Sequence, residues 1–584
     1  MNLAAIYHRT DENYCYALDE NRILISIKTG YDVDRVVLCY GDPFSHGIAG
    51  ANRHWEGNPL EITKCQELKY HKLWQVIVEP EFKRCKYYFE IYSGDEVIAM
   101  MEDDFYTLEA MSSTNASAQY FMFPWMNSSD IVKVPEWVKD TVWYQIFPER
   151  FCNGNPERNP KKVKQWGQEP VNYQDFYGGD LEGVLQKLEY IHDLGITGIY
   201  LTPICLASTN HKYDTIDYEV IDPHFGDDFV VKELVNKAHA MGMRIMLDGV
   251  FNHVGGKNPK WLDVCEKGPE SKYWDWFFVN KWPIEDNGNT RDGRFYSFAF
   301  AANMPKLNTN NPEVVEYIID VCKGWIEKYD IDGIRFDVGN EVAHTFLKKL
   351  NMELKSIKQD FYLIGEIWHD SERWLKGDEY DAVMNYPLIN SVISFWLKDN
   401  FTAKDFEYAV NRCYNLYLRN QMEVAFNLFD SHDTDRIMHR VNNNIDALYQ
   451  QMIVLFTMAG SPCIYYGTEI GLEGSFDPDC RKCMPWEKIE TGIYNDRINF
   501  IKNLIELRKN NPSFKAIDTT YIHNIDNSKV LHYKKEDNDG HNINVVLNCS
   551  NDSISYKVKG KMLLANKYEN EVILPFGAII YAED

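Results

Sequence analysis

The chain has no run approaching the roughly 18 consecutive apolar residues that a membrane-spanning helix needs. Its longest largely apolar stretch, Met452 to Ala459, is broken by Thr457 and reads as a buried helix. The N-terminus, MNLAAIYHRTDENYCYALDE, lacks the basic segment and apolar core of a secretory signal. Positive charge is scarce: 61 Lys and Arg stand against 87 Asp and Glu, a formal net charge of −26. That balance excludes phosphate-backbone and anionic-membrane partners, which need clustered Lys and Arg. The one short basic run, KKVK at 161–164, reads as a solvated loop face. There is no internal repeat and no low-complexity tract. The 13 cysteines are odd in number and without dense spacing, which suits a reducing compartment better than a disulfide framework. A cytoplasmic protein with neither nucleic-acid nor membrane partners is expected.

Aromatic residues are plentiful, with 15 Trp and 37 Tyr. Most belong to cores, but such an excess also suits sugar rings, whose apolar faces stack on aromatic ones. At 584 residues two to four domains are expected. Residues 1–125 carry short alternating runs (22–28, 35–40, 73–78, 87–92) separated by Gly, Asp and Pro, the pattern of a β-sandwich. Residues 123–140 are punctuated by Pro and Ser and read as a linker. After Lys515 short strands return (530–534, 543–548, 577–581), so residues 516–584 are expected to form a C-terminal all-β domain.

Between them, in residues 126–515, apolar strands alternate with helical stretches. The candidate strands are 141–147, 197–203, 244–250, 333–337, 361–366, 381–386, 423–429 and 463–467. Near-continuous apolar strands with intervening helices indicate a parallel sheet buried on both faces. Eight such units make an α/β fold, a (β/α)8 TIM barrel. The largest insertion, 254–310, follows the third strand, and loops of that length are usually functional.

Chemistry in such barrels sits at the C-terminal ends of the strands. The third strand ends in DGVFNH (Asp248, Asn252, His253) and the fourth in GIRFDVGNE (Arg335, Asp337, Glu341). The fifth ends in GEIWH (Glu366, Trp368, His369), and the seventh runs into FDSHDTDR (Asp430, His432, Asp433, Arg436). One Asp after a strand is commonly a helix cap or an ion-pair partner. Four acidic strand ends, each with a His, Arg or Trp nearby, are hard to explain by capping. Paired carboxylates are what glycoside hydrolysis needs, one to attack C1 and one to protonate the leaving oxygen. Arg335 precedes Asp337 by two residues, so on a strand both face the same way.

These four segments resemble, in order and separation, the signature regions of the α-amylase superfamily, glycoside hydrolase family 13. MPKLN (304–308), DVGNE, EIWH, YYGTEIGLEG (465–474) and CRKCMPW (480–486) are similar to its cyclomaltodextrinase, neopullulanase and maltogenic amylase group. The β-rich N-terminal region resembles that group's starch-binding-like domain. The resemblance implies Asp337 as nucleophile, Glu366 as general acid/base and Asp433 as the third carboxylate that orients the sugar. It implies sugar contacts from Tyr213, His253, Arg335 and His432, and acceptor contacts from Glu341 and Trp368. The implied substrates are cyclodextrins, malto-oligosaccharides and pullulan, with transglycosylation and no organic cofactor. In that group the N-terminal domain commonly covers a neighbour's active site, so a homodimer is expected.

The group often carries calcium in the first barrel loop. Here the matching positions are Asn153, Asn155, Asn159, Gly178 and Asp180, with Arg158 among them and asparagines where carboxylates are usual. Calcium gains affinity from carboxylate count, so calcium and an ordinary polar loop both stand as readings. Cys480 and Cys483 form a CxxC without the second pair a structural zinc site usually needs. An α-glucosidase or oligo-1,6-glucosidase of the same superfamily is the alternative enzyme. A non-catalytic glucan-binding protein is the alternative class, disfavoured because all three carboxylates remain.

Overall fold

The structure, a computed structural model, describes residues 1–45, 55, 57–113, 119–285, 288–536 and 540–583. Its contacts divide the chain into two compact units. One comprises residues 1–133, 375–377 and 400–422; the other comprises 134–374, 378–399 and 423–584.

The first unit contains two antiparallel sheets. In one, Ile23–Thr29 lies between Cys15–Ala17 and Lys72–Val78, with Lys64–Glu67 outside. In the other, Arg35–Gly41 pairs with Asn58–Glu61 and with Cys85–Ser93, which also takes Glu96–Met100 and Phe121–Phe123. Alternation sends Ile23, Ile25 and Ile27 to the same core as Val36, Leu38, Phe89 and Ile91, the sandwich expected of period-2 patterning. Residues 400–422 belong to this unit. Asn415 Nδ2 donates to Gln66 Oε1 (2.7 Å), Gln75 Nε2 donates to Asn415 Oδ1 (2.9 Å), and Asn411 Nδ2 donates to the Glu67 carbonyl (2.9 Å).

The second unit holds eight parallel strands: β1 (Trp143–Ile146), β2 (Gly198–Leu201), β3 (Arg244–Gly249), β4 (Gly333–Phe336), β5 (Tyr362–Gly365), β6 (Ala382–Val383), β7 (Phe426–Leu428) and β8 (Ser461–Tyr465). Their ladder runs β6-β5-β4-β3-β2-β1-β8-β7. A parallel bridge from Met384 to Phe426 joins β6 to β7 and closes the ring. Every residue of β1, β2, β4 and β5 is buried, which is why these strands read as near-continuous apolar text, interrupted only by Gln145 in β1 and Arg335 in β4. The crossover helices start on legible signals. Asp227 accepts from the Phe229 and Val230 N–H groups to cap Asp228–Ala240, and Asn311 caps Pro312–Tyr329, with proline at the first helical position.

The insertion 254–310 contains the helix Pro259–Lys267 and is stitched by isolated bridges His253–Lys306, Phe277–Leu307 and Val279–Phe295. Residues 519–583 form an antiparallel sheet around Val572–Glu583, which pairs with Asn542–Asn548, Ile554–Ser555 and Gly560–Glu569. The strand Gly560–Glu569 escapes the sequence pattern because none of its residues is fully buried.

Candidate active site

The C-terminal rim of the barrel centres on one guanidinium. Arg335, fully buried at the end of β4, places Nη1 3.0 and 2.9 Å from the two Asp248 oxygens and 3.1 Å from Asp337 Oδ1. Its Nη2 lies 2.9 Å from Glu366 Oε2, at an angle too oblique for a hydrogen bond. Strand ends β3, β4 and β5 thus deliver three carboxyl groups to a single cation.

Glu366 is held from two sides: Trp368 Nε1 donates to Oε1 (3.1 Å) and the Val338 N–H donates to Oε2 (3.0 Å). Val338 adopts φ +47°, a left-handed conformation that a β-branched residue enters only at a cost of about 1–3 kcal/mol. That turn, directly after Asp337, aims the amide at Glu366.

Asp248 and Asp337, buried side by side around one cation, do not ionise at their ordinary pH. Burial pushes Asp248 up to about 6 against the opposing pull of Arg335. Burial also drives Asp337 well above the usual range; Arg335 opposes the shift, and Glu366, Asp248 and Asp433 add to it. Asp248 and Asp337 therefore hold their protons to higher pH than separate carboxyl groups would, and their titrations are linked.

A hydrogen-bonded chain extends from Asp248. Tyr200 and Tyr213 donate their hydroxyls to Asp248 Oδ2 (2.6 and 3.0 Å). Tyr213 Oη lies 2.5 Å from His432 Nε2, with the rings parallel to within 3°. Gln145 Nε2 donates to His432 Nδ1 (2.6 Å), so the imidazole proton resides on Nε2. Burial keeps His432 neutral, well below its ordinary pKa. Asp433 closes the other side: Arg481 Nη2 donates to Oδ1 (3.1 Å), and His432 Nε2 is 3.1 Å from Oδ2. Arg481 Nε also donates to the His432 carbonyl (2.8 Å).

His253 Nε2 lies 3.2 Å from the Tyr213 carbonyl, and its ring stacks on Phe298 (5.0 Å, 16°). Burial pushes this imidazole down to about 3. Trp368 stacks on Tyr386 with centroids 3.7 Å apart. Together they border a pocket of about 340 Å³ that also touches Asp433, Ile393, Phe429 and Phe476. Glu341 is reached through Lys306, 3.0 Å from its Oε2.

The contacts thus join Asp337, Glu366, Arg335, Tyr213, His432 and Asp433, with His253 and Trp368 beside them. Sequence reasoning missed Gln145, Tyr200, Lys306 and Arg481. Gln145 carried a signal, as the one amide in an otherwise apolar strand, and Lys306 and Arg481 lay inside motifs quoted only for their pattern.

The five first-loop positions also converge. Asp180, however, caps the helix Leu181–Gln186 and accepts from the N–H groups of Gly154, Asn155 and Gly183. Asn155 Oδ1 accepts from the Glu157 N–H, and Asn159 Oδ1 from Asn153 Nδ2. Gly178, at φ +83°, lies so close that a Cβ there would sit 2.2 Å from Asn159 Oδ1. Asn153 Oδ1, buried and unpartnered, is the one side-chain oxygen of the set left free. Calcium takes six to eight oxygens, so the donor set as arranged does not fit it. Arg158 supplies positive charge instead, 3.0 Å from Glu182 and 2.9 Å from Asp227. Among the described residues no cluster of three or more His, Cys, Asp or Glu is arranged to hold a metal.

An eight-stranded α/β barrel with a carboxylate pair and a buried arginine at its C-terminal rim defines a glycoside hydrolase of the barrel class. Residues 145–538 match the family described as the α-amylase catalytic domain, and residues 1–127 match the α-amylase N-terminal Ig-like domain. A cyclomaltodextrinase from Geobacillus thermopakistaniensis is 40 % identical, covering 100 % of this chain and 99 % of the relative. An intracellular maltogenic amylase from Bacillus subtilis is 43 % identical, over 87 % of this chain and 84 % of the relative. A solved cyclomaltodextrinase structure superposes with a TM-score of 0.89 at 36 % identity, covering 100 % of this chain and 98 % of that one. The chain belongs to the α-amylase family, glycoside hydrolase family 13.

Proposed function

We propose that the protein hydrolyses α-1,4-glucosidic bonds of cyclodextrins, short malto-oligosaccharides and pullulan with retention of configuration, and transfers glycosyl groups to sugar acceptors. The observation that carries this reading is the single Arg335 guanidinium shared by Asp248, Asp337 and Glu366.

Asp337 attacks C1 while Glu366 gives its proton to the glycosidic oxygen, which leaves as a sugar hydroxyl. A glycosyl ester on Asp337 remains. Glu366, now a carboxylate, takes a proton from water as the water oxygen bonds to C1 and the ester bond breaks. A sugar hydroxyl in place of water gives transfer. The cycle requires a proton on Glu366 and an ionised Asp337, and Arg335, 3.1 Å from Asp337 Oδ1, favours that ionised form. Asp433, braced by Arg481, together with His432, His253 and Tyr213, orients the sugar in the cleaved position. Glu341 and Trp368 meet the acceptor. The chemistry needs no organic cofactor.

In the same reading the protein is a cytoplasmic homodimer. The 13 cysteines, odd in number and without dense spacing, and a relative named as intracellular support the location. The assembly part of the reading rests on the likeness of residues 1–127 to the α-amylase N-terminal Ig-like domain. Among the described residues no helix is long and apolar enough to cross a membrane.

A product profile on β-cyclodextrin, maltotriose, pullulan and soluble starch, with light scattering on the same preparation, tests the proposal. Cyclodextrin cleaved faster than starch by a dimer is expected. Starch preferred, or a strict monomer that still excludes starch, would contradict it.

A further inference from the structure

Lys306 lies on the MPKLN segment, at the antiparallel bridge with His253. Its ammonium reaches three acceptors: Asn252 Oδ1, the Glu341 carbonyl (3.1 Å) and Glu341 Oε2 (3.0 Å). An ammonium has three donors and no acceptor, so all three of its hydrogens are used. Asn252 is fully buried, and a cation on one side of its amide decides which way the amide faces. With Oδ1 toward Lys306, Nδ2 faces His253 Nδ1 at 3.3 Å. A donor against Nδ1 makes that nitrogen the acceptor, which leaves the ring proton on Nε2. The Nε2–H then points to the Tyr213 carbonyl at 3.2 Å, at the edge of the sugar site.

We propose that Lys306 is a positioning residue that holds His253 in its Nε2–H tautomer through Asn252 and fixes Glu341 across the cleft. One side chain thereby ties the wall that binds the cleaved sugar to the wall that meets the acceptor. Ordinary rim ion pairs contribute little, but this one also governs the orientation of a buried amide. Without the ammonium, the Asn252 amide is free to rotate and present its oxygen to Nδ1, which reverses the tautomer and removes the Nε2–H donor. Glu341 loses its anchor in the same event. Hydrolysis and transfer should therefore fail together, through different residues. The inference rests on the reading of His253 as a sugar contact and Glu341 as an acceptor contact.

The test compares wild type, Lys306→Met, Lys306→Ala and His253→Ala on maltotriose, with kcat and KM resolved and the transfer fraction read from the products. Losing the charge-assisted hydrogen bond to Asn252, the one of the three that orients His253, predicts a fall in kcat/KM of roughly tenfold to a hundredfold for Lys306→Met; loss of the two to Glu341 lowers the transfer fraction. Propylammonium should restore both activities of Lys306→Ala saturably and leave wild type unchanged, an effect that a merely structural lysine would not show. Lys306→Met within twofold of wild type, or a loss in Lys306→Ala that propylammonium does not relieve, would overturn the proposal. His253→Ala reports separately on the underlying reading: full activity there would remove the sugar contact itself, whatever Lys306 does.

Discussion

Asp332 and Asp337 stand at opposite ends of β4, five residues apart and both buried, and they are surrounded in opposite ways. Asp332, at the N-terminal end, has every need met: His239 (2.7 Å), Arg244 (2.9 Å), Lys358 (2.9 Å) and the Ile245 N–H (2.9 Å). Burial alone would raise this carboxyl, but those partners prevail and hold it down to about 2. Asp337, at the C-terminal end, shares one guanidinium with two other carboxyl groups and is pushed up instead. The strand's two ends thus separate stability from chemistry, as expected of barrels. One carboxylate is matched by partners, and the other is left in surplus so that it can react.

The largest effects should come from breaking this contrast by substitution. Asp337→Asn or Glu366→Gln is expected to lower kcat roughly 10⁴-fold or more while leaving the melting temperature within a few degrees of wild type. Asp332→Asn should do the reverse. Removing one partner of a buried charge cluster costs about 3–5 kcal/mol, so melting should fall by several degrees with kcat within threefold. Steady-state kinetics and calorimetry on the three variants decide it. A kcat lost with Asp332 or kept without Asp337 would erase the distinction.

The second effect is one of pH, with opposite signs at the two ends. Asp332 has a depressed pKa, so its contribution is present above the unfolded value near 4 and is lost as pH falls through about 2; it amounts to roughly 2–3 kcal/mol. Asp248 has a raised pKa, so its favourable term is present below pH 4 and is lost as pH rises through about 6. Relative to wild type, Asp332→Asn should therefore look worse with rising pH between about 2 and 4. Asp248→Asn should look better between about 4 and 6, by on the order of 3 kcal/mol. Denaturant melts across that range would contradict the picture if both differences moved the same way.

The contrast was only partly legible in the sequence. The strands could be read because burial on both faces leaves near-continuous apolar text, and chemistry could be placed because a barrel puts it after each strand. The strand β6 could be located but not measured: its ladder is two residues long, too short for any pattern. Residues 400–422 sit inside the barrel's stretch of sequence yet pack in the first unit, because amphipathic spacing says that a helix is buried without saying against what. Within the site, acidic strand ends announced themselves, whereas Gln145 and Tyr200 act from inside β1 and β2. Buried polar groups in a strand become meaningful only when their partners are known.

The smallest expected effect concerns the first loop. If Arg158 provides the positive charge there, chelation with EDTA should leave the melting temperature unchanged within a degree. Arg158→Met should lower it by a few degrees, since it loosens Glu182 and Asp227 at two helix starts. A melting temperature that drops on chelation and recovers with calcium would instead place a cation beside Asn153.

The most direct test of the central claim is to trap the intermediate. A fluorinated α-glucosyl fluoride slows the second step more than the first, and mass spectrometry of the digested protein then locates the sugar. The account predicts one glycosyl group, esterified to Asp337, with α-anomers as the first products of the untrapped enzyme. A sugar on Glu366 or Asp433, or no adduct together with β-anomers, would contradict it.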